Sequence, residues 1–152
     1  MILPLSVTST FFFILNVRKI RPTSALRLED STLTISDGQL SELKLEASDA
    51  VITLSSMSLS DARITLEDCV WKLKDFVLEK SLNCHAEDSV LTYKPSTDIS
   101  LDIWEEDSSL KLPKDKAFTM MKEGDITHLS YKQENSPAQL VIHCQDCQLS
   151  IG

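Results

Sequence analysis

Ser60–Leu73, SDARITLEDCVWKL, contains one complete copy of a pattern that recurs along the chain. Ile64 and Leu66 alternate with polar residues, Glu67-Asp68 makes an acidic corner, and Trp71 and Leu73 alternate again. Stepping outward from Trp71 by about nineteen residues reaches Leu33, Ile52, Leu91, Leu110, Leu129 and Leu149, at intervals of 19, 19, 20, 19, 19 and 20. The same step from Leu73 reaches Ile35, Leu54, Tyr93, Leu112, Tyr131 and Ile151. A fixed period of this length is the mark of a repeat architecture in which each unit stacks on the next.

Two further ladders run in the same phase: Leu40, Leu59, Leu78 and Ile99, and Leu26, Leu45, Ile64, Cys84 and Ile103. Period-two alternation within each unit predicts short strands with one buried face. At about 3.3 Å per residue, a nineteen-residue unit traces about 60 Å, enough to close one flattened coil. The expected fold is therefore all-β: a single-domain parallel β-solenoid with about 19-residue rungs, stacked in chain order and right-handed by the usual crossover preference.

With 152 residues, 42% of them apolar, the chain is long enough for one core. Fifteen Lys and Arg against twenty-three Asp and Glu leave a net charge of −8, which opposes a polyphosphate partner, so no nucleic acid is expected.

Residues 1–17 carry no charge and are followed at once by Arg18, Lys19 and Arg21. A helix of that length spans about 25 Å, short of a hydrocarbon core of about 30 Å. The basic residues also follow the apolar run, where a secretory signal has them in front. The other reading is an extra rung, since Val7 and Ile14 lie nineteen residues before Leu26 and Leu33. Residues 1–23 are accordingly set apart as an apolar cap or the remnant of a membrane anchor, and 24–152 as the repeat domain. Membrane contact is expected only through residues 1–23. Further along, Pro113–Gly124 interrupts the strands as a helix-compatible or looped insertion, in which Ala117, Phe118, Met120 and Met121 are expected to pack over a rung edge.

The acidic corner recurs at Asp30, Asp49, Asp68, Asp88 and Asp107. In a chain with three glycines, aspartate is the residue that takes a left-handed corner conformation. The competing reading is a row of Ca²⁺ sites built on those five carboxylates. No Ca²⁺-loop motif accompanies them, so no metal or other cofactor is assigned.

Cys144-x-x-Cys147 and Cys84-His85 have spacings that suit zinc or redox chemistry. Parity opposes this, because Cys69, Cys84, Cys144 and Cys147 all share phase with core residues, whereas His85 and His143 point outward. Nucleophile, zinc-protease, phosphate-loop and dinucleotide motifs are missing from the sequence. His85, His128 and His143 read as surface residues, and the chain is expected not to be an enzyme.

The unit L-x-L-E-D-S-x-L-x-I, in Leu26–Ile35 and again around Leu82–Tyr93, resembles the bacterial DUF4097 putative-adhesin family. The ending QLVIHCQDCQLSIG, Gln139–Gly152, is similar to that family's closing rung. The resemblance covers 24–152 and implies a β-solenoid of the cell envelope, sometimes linked to envelope-stress sensing, with no catalytic residues to carry over. The expected role is a non-enzymatic, adhesin-like module that meets a protein or a cell-wall glycan through a strand face or a solenoid end. The alternative is a cytoplasmic, filament-forming solenoid of the bactofilin type. A small carbohydrate-active enzyme ranks third.

The rung phase makes a direct prediction. Trp71→Asp places a charge in the core and should cost several kcal/mol, whereas Lys72→Asp beside it should change stability by less than about 0.5 kcal/mol. Equal shifts of the two denaturation midpoints would mean that the register is wrong.

Overall fold

The computed structural model describes residues 25–152 in full and, of residues 1–24, only the backbone of 5–9, 14–17 and 23–24. Alternation of apolar and polar residues produces strands throughout, and no helix is present among the described residues. In chain order they are β1 (Leu5–Ser9), β2 (Ile14–Val17), β3 (Thr23–Glu29), β4 (Thr32–Ser36), β5 (Gln39–Ser48), β6 (Val51–Ser55), β7 (Ser58–Glu67) and β8 (Val70–Glu87). The remainder are β9 (Val90–Pro95), β10 (Ser100–Glu106), β11 (Ser109–Lys111), β12 (Thr119–Glu123), β13 (Ile126–Tyr131), β14 (Gln139–Gln145) and β15 (Gln148–Ile151).

These strands form one open, mixed sheet of fifteen strands, arranged as two ladders. The first runs β1-β3-β5-β7-β8-β14-β10-β13-β12, and the second runs β2-β4-β6-β8-β9-β15-β11. β8 belongs to both: its residues 70–74 pair with β6 and β9, and its residues 77–87 pair with β7 and β14. Inward residues of the two ladders meet in one apolar cluster. Trp71, Phe76 and Tyr93 are its largest side chains and have no exposure. Full burial of each large apolar side chain stabilises the fold by about 1.5–3 kcal/mol. Trp71 Nε1 and Tyr93 Oη are buried there without a hydrogen-bond partner, at a cost of about 1–3 kcal/mol each.

Through β9 the pairing follows the repeat. Leu26 pairs with Leu45 and Leu45 with Ile64, in parallel and nineteen residues apart. The longer step from Trp71 to Leu91 has a local cause: the register of β7 against β8 shifts between Leu59/Leu78 and Asp61/Ser81, which places one extra residue in β8. Near the N-terminus, Val7 pairs with Leu26 as the period requires, but Leu15 rather than Ile14 pairs with Leu33. The rest of the cap-or-anchor expectation for residues 1–23 lies outside the described residues.

Beyond β9 the expected order of stacking fails. Leu91 pairs with Leu149, and Leu149 with Leu110, so β15 lies between β9 and β11. Likewise Cys84 pairs with Ile142, and Ile142 with Ile103. Leu129, predicted as the rung after Leu110, instead pairs antiparallel with Ile103 in the other ladder. Burial supplies the reason. β14 and β15 present Leu140, Ile142, Cys144, Leu149 and Ile151, all buried, and such a segment needs a neighbour on each side. The hairpin β12–β13 buries only Leu129 fully, and every residue of β12 is exposed. The more apolar coil takes the interior position, and the hairpin, turning at Gly124 (φ 63°), takes the edge. The 113–118 segment is not helical; Phe118 leans on Tyr131 with ring centroids 6.0 Å apart, while Met120 and Met121 are exposed and do not pack over a rung.

The acidic corners adopt the left-handed conformation. Asp30, Asp49, Asp68, Asp88 and Asp107 have φ between 48° and 51°, and Asp146 makes a sixth at 52°. Each rung is tied to its neighbour at this point: Asp68 N–H donates to Glu87 O at 3.2 Å, Asp88 N–H to Gln145 O at 3.1 Å, and Asp146 N–H to Glu106 O at 3.0 Å. A second series of left-handed corners, Asp37, Ser56 and Asp75, turns the chain at the opposite end of the coils.

Asp68→Asn keeps a side chain that tolerates this conformation and should be nearly neutral. Asp68→Val should cost about 1–2 kcal/mol, because a branched Cβ resists positive φ. Chemical denaturation compares them, and equal losses would deny the corner its conformational role.

Candidate functional site

On a strand with inward Leu101 and Ile103, Trp104 must face outward, and it does so with 38% exposure. Strand register then aligns it with all three histidines of the chain. His85 of β8 pairs with His143 of β14, His143 with Trp104 of β10, Trp104 with His128 of β13, and His128 with Met121 of β12. One row of rings thus crosses the outer face of the first ladder.

The rings stack along the row. Trp104 and His128 have centroids 3.9 Å apart and planes within 12°. Trp104 and His143 are nearly parallel, 9°, at 6.0 Å. His85 and His143 lie 6.2 Å apart with a 33° tilt. Asp102 Oδ1 fixes His128 through Nε2 at 2.6 Å, a charge-assisted contact when the imidazole is protonated.

The next row over, set by the same register, is Glu67, Glu87, Gln145, Glu106, Ile126 and Glu123. Together the two rows shape a depression of about 220 Å³ lined by His85, His143, Trp104, Glu87, Glu106 and Ile126 among others. A second depression, of about 510 Å³, lies against Trp104 and His128 with Met121, Lys122, Glu123 and Ile126. Exposed apolar side chains collect here: Met121 at 62% and Ile126 at 44% adjoin Trp104.

The histidines were legible in the sequence as outward residues, and their common row was not. Direct contact between His85 and His143 requires β14 to sit between β8 and β10, a placement that no local pattern announces. The available signal was Trp104, a large aromatic side chain out of phase with Leu101 and Ile103.

No family model matches the chain, and no curated protein matches it. Among solved structures, it is similar to a putative cell adhesion protein from Clostridium sporogenes, with 11% sequence identity and a TM-score of 0.32. The match covers 79% of this chain and 55% of that one, so the chain spans about half of that protein's structure.

The five corner carboxylates named above as Ca²⁺ candidates are exposed, each on a separate rung. Among the described residues, no group of three or more His, Cys, Asp or Glu side chains is placed to hold a metal ion. All four cysteines are free and buried, as parity predicted. Cys69 and Cys147 occupy the inner side of the acidic corner, where serine stands in other rungs. Their thiols donate to the carbonyls of Glu67 and Gln145 at 3.1 Å, as the Ser89 hydroxyl donates to Glu87 O at 2.7 Å. Burial pushes the Cys84 and Cys144 thiols up to about 12 and raises Cys69 and Cys147 as well.

Thiolate is the reactive form, so all four cysteines should resist a maleimide at pH 8 in the folded protein and react together in denaturant. The same shifts set a pH dependence. Stability contributed by the neutral thiols is complete below their ordinary value of 9.0 and is lost as the pH rises toward 12. Rapid labelling of any one thiol under native conditions would contradict both statements.

Proposed function

We propose that the chain is a non-enzymatic, adhesin-like binding module of the bacterial cell envelope. In this reading it is a parallel β-solenoid of about nineteen residues per rung, and its outer strand face meets the partner. The observation that carries the reading is the concentration of Trp104, Met121 and Ile126 on that face, exposed and rimmed by carboxylates. Tryptophan and methionine are enriched at the centres of protein interfaces, with polar groups around them. A protein partner is favoured over a cell-wall glycan because a sugar ring stacks on an open aromatic face, and one face of Trp104 is covered by His128 at 3.9 Å. Among the described residues no helix is long and apolar enough to cross a membrane.

The filament alternative draws on a different feature. β12 is the end strand of its ladder and is exposed along its whole length, with Met120 at 66%. An uncovered apolar edge is a template for strand addition by another copy. Concentration-dependent assembly in light scattering, abolished by a proline at Met121, would support it.

Labelled protein applied to isolated cell envelopes separates these readings. Binding should fall at least tenfold in the double variant Trp104→Ala, Met121→Asp, and should disappear when the envelopes are treated with protease first. Undiminished binding by the double variant would refute the face assignment, and protease-resistant binding would turn the partner into a glycan.

A further inference from the structure

We propose that His85 and His143 form a binding site for a divalent late transition cation of the zinc, nickel or copper type. The two residues are register partners on adjacent parallel strands. Both are exposed, and their ring centroids are 6.2 Å apart. Two imidazole nitrogens at about 2.1 Å from a tetrahedral ion place the ring centroids about 5 Å apart. The observed separation exceeds that spacing by about 1 Å, a gap that rotation of the two exposed side chains can close.

The chemistry of the surroundings selects the ion. Imidazole suits zinc, copper and nickel, whereas calcium and magnesium need oxygen-rich sets. Glu87, Glu105 and Glu106 line the same depression, and no lysine or arginine does. An acidic concavity on a chain of net charge −8 raises the local concentration of cations and offsets the charge of the bound ion. Two imidazoles leave the other coordination positions to water. His128 takes no part, since Asp102 holds its Nε2 at 2.6 Å and the Trp104 ring separates it from His143. The site is independent of the partner reading above and stands if that reading fails.

Trp104 provides the readout. Its ring lies 6.0 Å from that of His143, close enough for a bound Cu²⁺ ion to quench its emission, and the chain's other tryptophan, Trp71, is fully buried. Cu²⁺ alone is titrated into the full chain, followed by calorimetry with Zn²⁺ and Ni²⁺. The expected result is saturable quenching with one ion per chain, at least tenfold weaker in His85→Ala and in His143→Ala and unchanged in His128→Ala. His85→Gln, which keeps a polar side chain at the same exposed position, should lose the ion as His85→Ala does, and melting curves in chelator should coincide for all variants. Unsaturable quenching, or wild-type affinity in His85→Ala or His143→Ala, would overturn the assignment.

Discussion

From one short strand to the next the chain must turn sharply, and it does so at a residue with positive φ. Six aspartates take that position at one corner, with a second series at the opposite end of the coils. At Asp30, Asp49, Asp68, Asp88 and Asp146 the same residue couples neighbouring strands, because its amide N–H reaches a carbonyl of the adjoining strand. Just inside it stands a small side chain, serine, alanine or cysteine, and the serines and cysteines donate back to the carbonyl two residues before. Two of the cysteines, Cys69 and Cys147, are therefore corner donors in serine's place, and Cys144, the other member of the C-x-x-C pair, is a core residue. The charge of the corner aspartates faces solvent, where water screens their mutual repulsion.

Repetition makes the coils nearly interchangeable, and burial then ranks them. Each inner coil has a neighbour above and below, and each end coil has one. A segment as apolar as β14–β15 gains most from an interior position, and a hairpin as polar as β12–β13 loses least at the edge. The outcome is an order in space that departs from the order in sequence. Both arrangements preserve the inward phase of Leu101 and Ile103, so phase by itself could not choose between them.

That choice creates the candidate site. If β10 had stacked directly on β8, Trp104 would have met His85, and His85 and His143 would not have been neighbours. With β14 between them, the two histidines become direct neighbours and the tryptophan stacks between imidazoles. Placement of the hairpin on β10 then brings His128, Met121 and Ile126 to the same face. The acidic row beside it has the same origin: residues two positions along the same strands.

From residues alone came the strand content, the parity of every core ladder, the inward thiols, and the left-handed aspartate corners, because each depends on alternation or on one residue's own conformational preference. The pairing from β3 to β9 was likewise readable, since the repeat sets a parallel neighbour at nineteen or twenty residues and a one-residue slip would turn its apolar face outward. The exposure of Met120 and Met121 was not readable, because an apolar side chain is buried only if some other element covers it. The interposed C-terminal coil and the ring row were decided by tertiary structure, for the same physical reason. Which of several similar coils lies next to which is a competition among burial free energies of the whole chain, and no local stretch encodes its result.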